Sequence, residues 1–254
     1  MCRKYKIKPF STLSNGNKIR GYVLKPMTEG PHPCVIVSHG MLSNMVISYS
    51  YAKVFAKLGY VAFCYDFTMS GSGISGGDSR GMSAVTESED VINMVHYVKS
   101  LDYVDKNRII LAGCSQGGMA SVLAAAKIED EIERIILYYP ALCIPDDARR
   151  GQMMNASFEP DKIPDEFRIF FVKASKKYAD DVKDIDVNAE MSKFKKPVLI
   201  IHGKEDKLVK IDYSRSAAKA YKNCKLLEIH GDHGFIFFGK HASDRETRKY
   251  LKSL

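Results

Sequence analysis

Short apolar runs alternate with helical patterns along most of this chain. The apolar runs cover residues 34–38, 60–66, 108–112, 134–139, 198–202 and 225–229. The helical patterns between and after them cover residues 48–58, 84–100, 117–127, 213–221 and 242–251. Continuously apolar strands that alternate with helices are typical of a mostly parallel sheet with helices on both faces. The pattern therefore predicts an α/β fold.

The N-terminal segment follows a different pattern. Two runs, residues 5–10 and 18–24, flank Ser14-Asn15-Gly16-Asn17. Asn-Gly readily adopts the positive φ of a tight hairpin turn. The hairpin is expected to add antiparallel strands at one edge, giving a sheet of about eight strands.

Residues 141–191 interrupt the alternation of strands and helices. This segment contains three prolines, acidic pairs and a predicted helical stretch over residues 166–178, but no comparable buried strand. It is far longer than an ordinary connection of about 4–6 residues. We interpret it as an inserted lid subdomain over the carboxyl edge of the sheet, where open α/β sheets bind ligands. Residues 1–140 and 192–254 then form the core domain. The alternative is a passive structural excursion.

The composition is ordinary for a soluble globular protein, and the length suits one large domain, with or without an insertion. The net charge of +8 comes from basic residues spread along 254 residues, with only short mixed runs at 173–177 and 193–196. Without a recognisable nucleic-acid-binding motif, this charge does not predict nucleic-acid binding. A basic surface can modestly favour anionic substrates.

The cysteines and the N-terminus give no sign of metal, disulfides or export. The six cysteines form no C-x-x-C pair and no metal-ligand spacing. Residues 1–8 are polar and basic, and no apolar run approaches the length of a membrane span. We therefore expect a reduced cytoplasmic protein without zinc or a membrane partner. The sequence does not decide between a monomer and a homodimer.

Residues 108–118 carry the strongest chemical signal. They place Gly113-Cys114-Ser115-Gln116-Gly117 between a buried strand and a helix rich in small residues. A G-x-S-x-G turn in this context presents its serine on a strained backbone, at the positive end of the helix. Glycines on either side let the strand and helix approach closely. Ser115 is therefore the candidate nucleophile, and the alternative is an incidental Gly/Ser turn.

A serine nucleophile needs a base and a group that orients the base. Of the seven histidines, only His233 lies on a Gly-flanked loop after the final strand, where an imidazole can reach back to Ser115. Glu205 and Asp206 both follow the strand over residues 198–202, and we favour Asp206. The order Ser, Asp, His is that of the α/β-hydrolase triad. The backbone N–H groups of Met41 and Gln116 are the candidate oxyanion donors.

These residues together resemble the α/β-hydrolase superfamily and, more narrowly, the bacterial cinnamoyl/feruloyl esterases. The similarity covers nearly the whole chain. It is carried by His39-Gly40-Met41, Tyr65-Asp66-Phe67 with Gly71-Ser72-Gly73 and Gly77, Cys114-Ser115-Gln116-Gly117-Gly118, Pro160-Asp161-Lys162-Ile163-Pro164-Asp165, Ile201-His202-Gly203 to Asp206, and Asp232-His233. Cys114 stands where that family usually has histidine, and Met41 where it often has an aromatic residue. We interpret Cys114 as packing rather than a second nucleophile.

The resemblance implies the α/β-hydrolase fold and a serine carboxylesterase that hydrolyses small hydroxycinnamate esters, with no cofactor or metal. It also places Asp147 and Tyr178, in the insertion, where polar residues contact the aromatic ring of the substrate. Asp147 in a solvated turn and Tyr178 as helix packing are the alternatives. Rival functions are a lipase, thioesterase or peptidase acting on aliphatic acyl groups, or a non-catalytic binding protein with a hydrolase fold.

Overall fold

A computed structural model describes residues 4–253. The strands are β1 (Tyr5–Ser14), β2 (Asn17–Pro26), β3 (His32–Ser38), β4 (Val61–Asp66), β5 (Val104–Cys114), β6 (Arg134–Tyr138), β7 (Gln152–Met153), β8 (Ala156–Ser157), β9 (Glu166–Ile169), β10 (Val172–Ser175), β11 (Val198–Gly203) and β12 (Cys224–Ile229). The α-helices are α1 (Met45–Ala56), α2 (Ala84–Lys99), α3 (Gln116–Lys127), α4 (Ile144–Arg149), α5 (Lys177–Lys183), α6 (Val187–Lys193), α7 (Ile211–Ala220) and α8 (Lys240–Lys252). Short 3₁₀ turns cover Ser79–Gly81, Glu129–Glu131 and His233–Phe235.

Eight strands form one sheet, in the order β1-β2-β4-β3-β5-β6-β11-β12. The six strands from β4 to β12 in that order are parallel to one another. Strand β2 runs antiparallel to both β1 and β4. Asn15 and Gly16 form the β1–β2 turn with positive φ angles of 47° and 79°. The predicted mostly parallel sheet with an N-terminal hairpin at one edge is confirmed.

The sheet is buried on both faces. Along β3 the side chains alternate, so that Ile36 joins one apolar cluster while Val35 and Val37 join the other. Helices α2, α3, α6 and α7 contribute to the first cluster, and helices α1 and α8 contribute to the second. This two-sided burial explains why the parallel strands are continuously apolar in the sequence.

In the insertion, the helix predicted over residues 166–178 is wrong. Residues 166–178 do not form a helix, because β9 and β10 pair as an antiparallel hairpin and helix α5 begins only at Lys177. Along β10 the residues alternate in burial, with Val172 and Ala174 buried and Lys173 exposed. This period of two belongs to a strand, and the turn places Phe170 at a φ of 51°.

The insertion packs directly on the core domain. Its buried residues Ile169, Val172 and Val182 belong to the same apolar cluster as α2 and α3. Ser175 Oγ also donates to the carbonyl of Arg80, at 2.6 Å. Apolar and polar contacts thus hold the insertion against the rest of the chain. Its role as a lid stays a prediction.

The remaining sequence expectations concern cysteines, metals and membranes. The five cysteines within residues 4–253 are free, and Cys2 lies outside the described residues. Over the same range no three His, Cys, Asp or Glu side chains cluster as metal ligands. No helix between Lys4 and Ser253 has the length and apolar character needed to cross a membrane.

Candidate active site

Ser115 lies on a strained turn between β5 and α3. Its φ and ψ angles are 51° and −119°, a region that non-glycine residues rarely adopt. A Cβ atom built on Gly113 would lie 2.3 Å from the carbonyl oxygen of Gly117, and one on Gly117 would lie 2.3 Å from that of His39. Only glycine therefore permits these close backbone approaches. The strand, sharp turn and helix predicted around Ser115 are all present.

The structure brings Ser115, His233 and Asp206 into one hydrogen-bonded chain. Ser115 Oγ lies 3.0 Å from His233 Nε2, and Asp206 Oδ2 lies 2.7 Å from His233 Nδ1. Because a carboxylate can only accept, Nδ1 carries the hydrogen and Nε2 is left to accept the Ser115 proton. This geometry is that of a nucleophile, a base and an orienting acid. The catalytic roles themselves stay predictions.

Asp206 is a buried carboxylate surrounded by donors. Its Oδ1 accepts from the backbone N–H groups of Leu208 and Val209, each at 2.9 Å. Its Oδ2 accepts from His202 Nε2 as well as from His233. Burial alone would raise the pKa of Asp206, but the hydrogen bonds from the two histidines outweigh it and lower that pKa well below its usual value. The carboxylate therefore stays ionised beside His233.

Glu205, the other acidic residue considered for this role, is directed elsewhere. Its carboxylate pairs with His230 Nδ1 at 2.9 Å and accepts from the Gly231 N–H at 2.8 Å. These bonds hold Glu205 on the exposed side of the loop. Of the two neighbouring carboxylates, only Asp206 reaches His233.

The loop after β3 lies directly against the nucleophile. A Cβ built on Gly40 would lie 2.9 Å from Ser115 Cβ, so a side chain there would clash with the serine. Within the described residues, the N–H of Met41 has no protein acceptor. The N–H of Gln116 is also open, because Gln116 is the first residue of α3. Met41 and Gln116, the predicted oxyanion donors, both line the cavity that opens at Ser115.

His39 positions this loop, a role that the sequence reasoning missed. Its Nε2 accepts from the Phe67 N–H at 3.1 Å, so its Nδ1 carries the hydrogen and donates to the Gly40 carbonyl at 2.8 Å. In a trans peptide the Met41 N–H points opposite to the Gly40 carbonyl. Holding that carbonyl therefore aims the Met41 N–H. Burial lowers the pKa of His39 and keeps the ring neutral.

A cavity of about 940 Å³ opens at Ser115. Seven residues of the insertion line it, namely Ala141, Cys143, Ile144, Asp147, Gln152, Met154 and Tyr178. Tyr178 is buried, and its hydroxyl donates to Gln116 Oε1. Asp147 lies on α4 and pairs with Arg150, and partial burial raises the pKa of its carboxyl. Both predicted substrate-binding residues therefore share a cavity with Ser115.

Cys114 lies beneath the turn rather than at a reactive surface. The residue is 2% exposed and belongs to the apolar cluster with α1 and α8. Burial raises the pKa of its thiol to about 12, so the thiol stays protonated at neutral pH. Because the thiolate is the nucleophilic form of cysteine, this environment suits packing.

Comparisons with known proteins agree with this geometry. A family model for acetyl xylan esterase (AXE1) matches residues 88–248. Est1E from Butyrivibrio proteoclasticus, solved with ferulic acid bound, is similar with a TM-score of 0.90 and 28% identity, over 96% of this chain and 98% of that chain. The α/β hydrolase GrgF from Penicillium sp. sh18 has the same fold, with a TM-score of 0.76 and 17% identity over 98% of both chains.

A sequence relative matches over a shorter region. The quorum-quenching protein AidA of Acinetobacter baumannii (strain MDR-ZJ06) is 30% identical over 129 residues, which cover 50% of this chain and 41% of that protein. The aligned region is therefore less than half of that relative. The longer matches to the family model and to Est1E decide the assignment: this chain belongs to the acetyl xylan esterase (AXE1) family, and it is a carboxylic ester hydrolase of the serine esterase type with the α/β-hydrolase fold.

Proposed function

We propose that this serine esterase hydrolyses esters of hydroxycinnamic acids, such as feruloyl and caffeoyl esters, with Ser115, His233 and Asp206 as its catalytic triad. The observation that carries the proposal is the shared cavity, where Ser115 opens onto the same space as Asp147 and Tyr178. The ferulic acid complex of Est1E, at a TM-score of 0.90, supports the acyl class.

The reaction proceeds through an acyl-enzyme. Ser115 Oγ attacks the ester carbonyl carbon while His233 Nε2 takes the serine proton. The Met41 and Gln116 N–H groups donate to the oxyanion that forms on the carbonyl oxygen. When this intermediate collapses, the bond to the alcohol oxygen breaks and that oxygen receives the proton from His233. Water then attacks the acyl-Ser115 by the same route, which releases the acid and restores the serine.

The insertion covers the acyl group in this proposal. A flat aromatic acid needs apolar walls for its ring and one or two polar groups for its phenolic hydroxyl. Ile144 and Met154 supply apolar surface, while Asp147 can accept the phenolic proton. The Tyr178 hydroxyl already donates to Gln116, so it keeps a lone pair for a substrate hydroxyl. Residues 141–191 act as the lid that encloses this half of the substrate.

One observation favours a second candidate, an esterase for aliphatic acyl groups. Asp147 and Tyr178 each have a protein partner already, namely Arg150 and Gln116. With these polar groups satisfied, the cavity also suits an alkyl chain. The two candidates make opposite predictions for substitutions at the polar positions.

The test compares methyl ferulate with methyl butyrate. Asp147→Ala and Tyr178→Phe should each raise KM for the ferulate ester by about tenfold and spare the butyrate ester, because a substrate hydroxyl left unpaired costs about 1–3 kcal/mol. Asp146→Ala is the matched control, since Asp146 bonds to Tyr213 and Arg149 and lies outside the cavity lining. Equal losses on both esters, or none on either, would contradict the assignment.

A further inference from the structure

The mouth of the Ser115 cavity carries exposed aliphatic side chains. Val46, Ile47, Leu208 and Ile236 all line this cavity, yet they are 52% to 75% exposed. They come from three separate segments of the chain, namely the first turn of α1, the loop after β11 and the loop after β12. Large exposed apolar patches on a folded protein mark interaction sites or ligand-binding grooves.

The backbone segments that carry these side chains either bond to the proposed triad or lie next to the triad or the oxyanion loop in the sequence. The Leu208 N–H donates to Asp206 Oδ1 at 2.9 Å. Ile236 follows His233 by three residues in the same loop. The α1 residues directly follow the loop that carries Met41, and Asp66 Oδ1 fixes the start of α1 by accepting from the Met45 N–H. The aliphatic mouth therefore has a fixed position relative to Ser115.

The chemistry of the reaction decides which half of the ester meets this surface. His233 must hand its proton to the departing alcohol oxygen, so the alcohol half passes the imidazole. Gly234 and Ile236 follow His233 in the chain and line the same cavity, as do residues of the insertion. With the acyl half under the insertion, the alcohol half lies against Val46, Ile47, Leu208 and Ile236. This step rests on the proposed function.

The surface also indicates what kind of alcohol it accepts. Its polar lining residues are Ser43, Asn44 and Lys210. The Asn44 amide is occupied, because it caps α1 through Val46 N–H and donates to the Ser72 carbonyl. Among the described residues, the one carboxylate that lines the cavity is Asp147, which belongs to the insertion. Tyr139 also lines the cavity and packs against the His233 ring, with its hydroxyl bonded to that of Tyr51. A sugar would leave several hydroxyls unpaired against aliphatic carbon, which is unfavourable.

We propose that this mouth is a subsite for an apolar alcohol moiety, alkyl or arylalkyl, and that it disfavours polyhydroxylated alcohols. Burying alkyl carbon against four branched side chains is favourable by the hydrophobic effect, whereas a polyol gains little there. The acyl pocket and the alcohol mouth then select the two halves of the ester independently.

The test holds the acyl group constant and varies the alcohol. Methyl, n-butyl and 2,3-dihydroxypropyl esters of butyric acid are compared, and the series is repeated with ferulic acid. The n-butyl ester should exceed the methyl ester by about tenfold in kcat/KM, because three more methylene groups are partly buried. The dihydroxypropyl ester should not exceed the methyl ester. Equal values for n-butyl and methyl esters, or a preference for the dihydroxypropyl ester, would overturn the proposal.

Two variants test whether side chains at the cavity mouth cause the preference for n-butyl over methyl esters. Ile236→Ser should lower the butyl-to-methyl ratio of kcat/KM at least threefold. Phe237→Ser is the matched control, because Phe237 is 87% exposed in the same loop and lies outside the cavity lining. An unchanged ratio in Ile236→Ser, or an equal drop in Phe237→Ser, would contradict this subsite. If the butyrate series shows the alcohol preference while ferulate esters are not hydrolysed, the acyl proposal fails and the alcohol subsite stands.

Discussion

His202 donates its Nε2 hydrogen to Asp206 Oδ2 at 3.1 Å, and neither side chain is exposed to solvent. The same nitrogen also faces the Val209 carbonyl, so it meets only acceptors and must carry the hydrogen. Ser214 Oγ lies 2.6 Å from the other ring nitrogen and fixes the ring from behind. Asp206 therefore accepts two imidazole hydrogens on one oxygen, one from a buried histidine and one from His233.

This relationship predicts that His202 is a positioning residue for the triad. His202→Ala should lower kcat by about tenfold or more with little change in KM, because it removes a hydrogen bond to a buried charge worth about 1.5–3 kcal/mol. His202→Gln, whose amide can restore a donor near the Nε2 position, should recover part of kcat. Steady-state kinetics and thermal melts on both variants check this. Equal activity in the two variants would indicate a purely structural role.

Ser115→Ala should abolish nearly all esterase activity in a folded protein. Removing the nucleophile leaves only binding and oxyanion stabilisation, so kcat should fall by at least about three orders of magnitude. Initial rates with p-nitrophenyl acetate measure the loss, and circular dichroism verifies folding. Activity close to that of the wild type would rule out Ser115 as the nucleophile.

Cys114→Ala, next to the nucleophile, should behave in the opposite way. Because Cys114 packs beneath the turn, the variant should keep most of its kcat and lose about 1 kcal/mol of unfolding free energy from the small cavity. Urea unfolding and the same rate assay measure both quantities. Rapid inactivation of the wild type by a thiol reagent that labels only Cys114 would contradict the packing role.

The acidic pair after β11 gives a matched comparison of carboxylates. Asp206→Asn should lower kcat by several orders of magnitude, because an amide cannot enforce the His233 tautomer as a carboxylate does. Glu205→Gln removes a neighbouring charge that pairs with His230 instead, so its kcat should stay near that of the wild type. Parallel kinetics on the two variants decide between these residues. The reverse pattern would assign the orienting role to Glu205.

Much of the fold and candidate site was predictable because both depend on where strands end. Burial on both faces makes the parallel strands visible as apolar runs, and the residues that follow them meet at one edge of the sheet. Ser115, Asp206 and His233 each follow a predicted strand, so their approach in space follows from topology alone. Gly113 and Gly117 indicate in the sequence that strand and helix approach closely, because glycine has no Cβ.

The parts that were missed depend on tertiary contacts. His39 directly follows β3 and His202 is the penultimate residue of β11. A buried histidine at such a position has no sequence signature until its partners are known. The sequence predicts a helix where residues 166–175 form a hairpin, because the two strands are four residues long and too short for their period of two to stand out. One sequence feature indicates a positioning role for His202: it lies four residues before Asp206, near the end of a buried strand.

The last prediction concerns the buried acid behind Gln116. Glu87, on α2, is 2% exposed, and burial raises the pKa of its carboxyl to about 8. Glu87 therefore binds its proton more tightly in the folded than in the unfolded chain, where carboxyl pKa values are near 4.3. Between about pH 4.5 and pH 8 the folded state holds the extra proton, so the unfolding free energy falls as the pH rises. Asp90, whose pKa burial raises to about 6, acts in the same direction over the lower part of this range.

Glu87→Gln should remove the share of this pH dependence that belongs to Glu87. One proton contributes at most about 1.4 kcal/mol per pH unit, so the unfolding free energy of the variant should decline less steeply from pH 5 to pH 8 than that of the wild type. Urea unfolding at pH 5, 6.5 and 8 measures the difference. Glu89→Gln is the matched control, because Glu89 lies on the same helix and bonds to Asn15 at the surface. If the unfolding free energies of the wild type and Glu87→Gln fall in parallel with pH, then Glu87 binds its proton equally tightly in the folded and unfolded states.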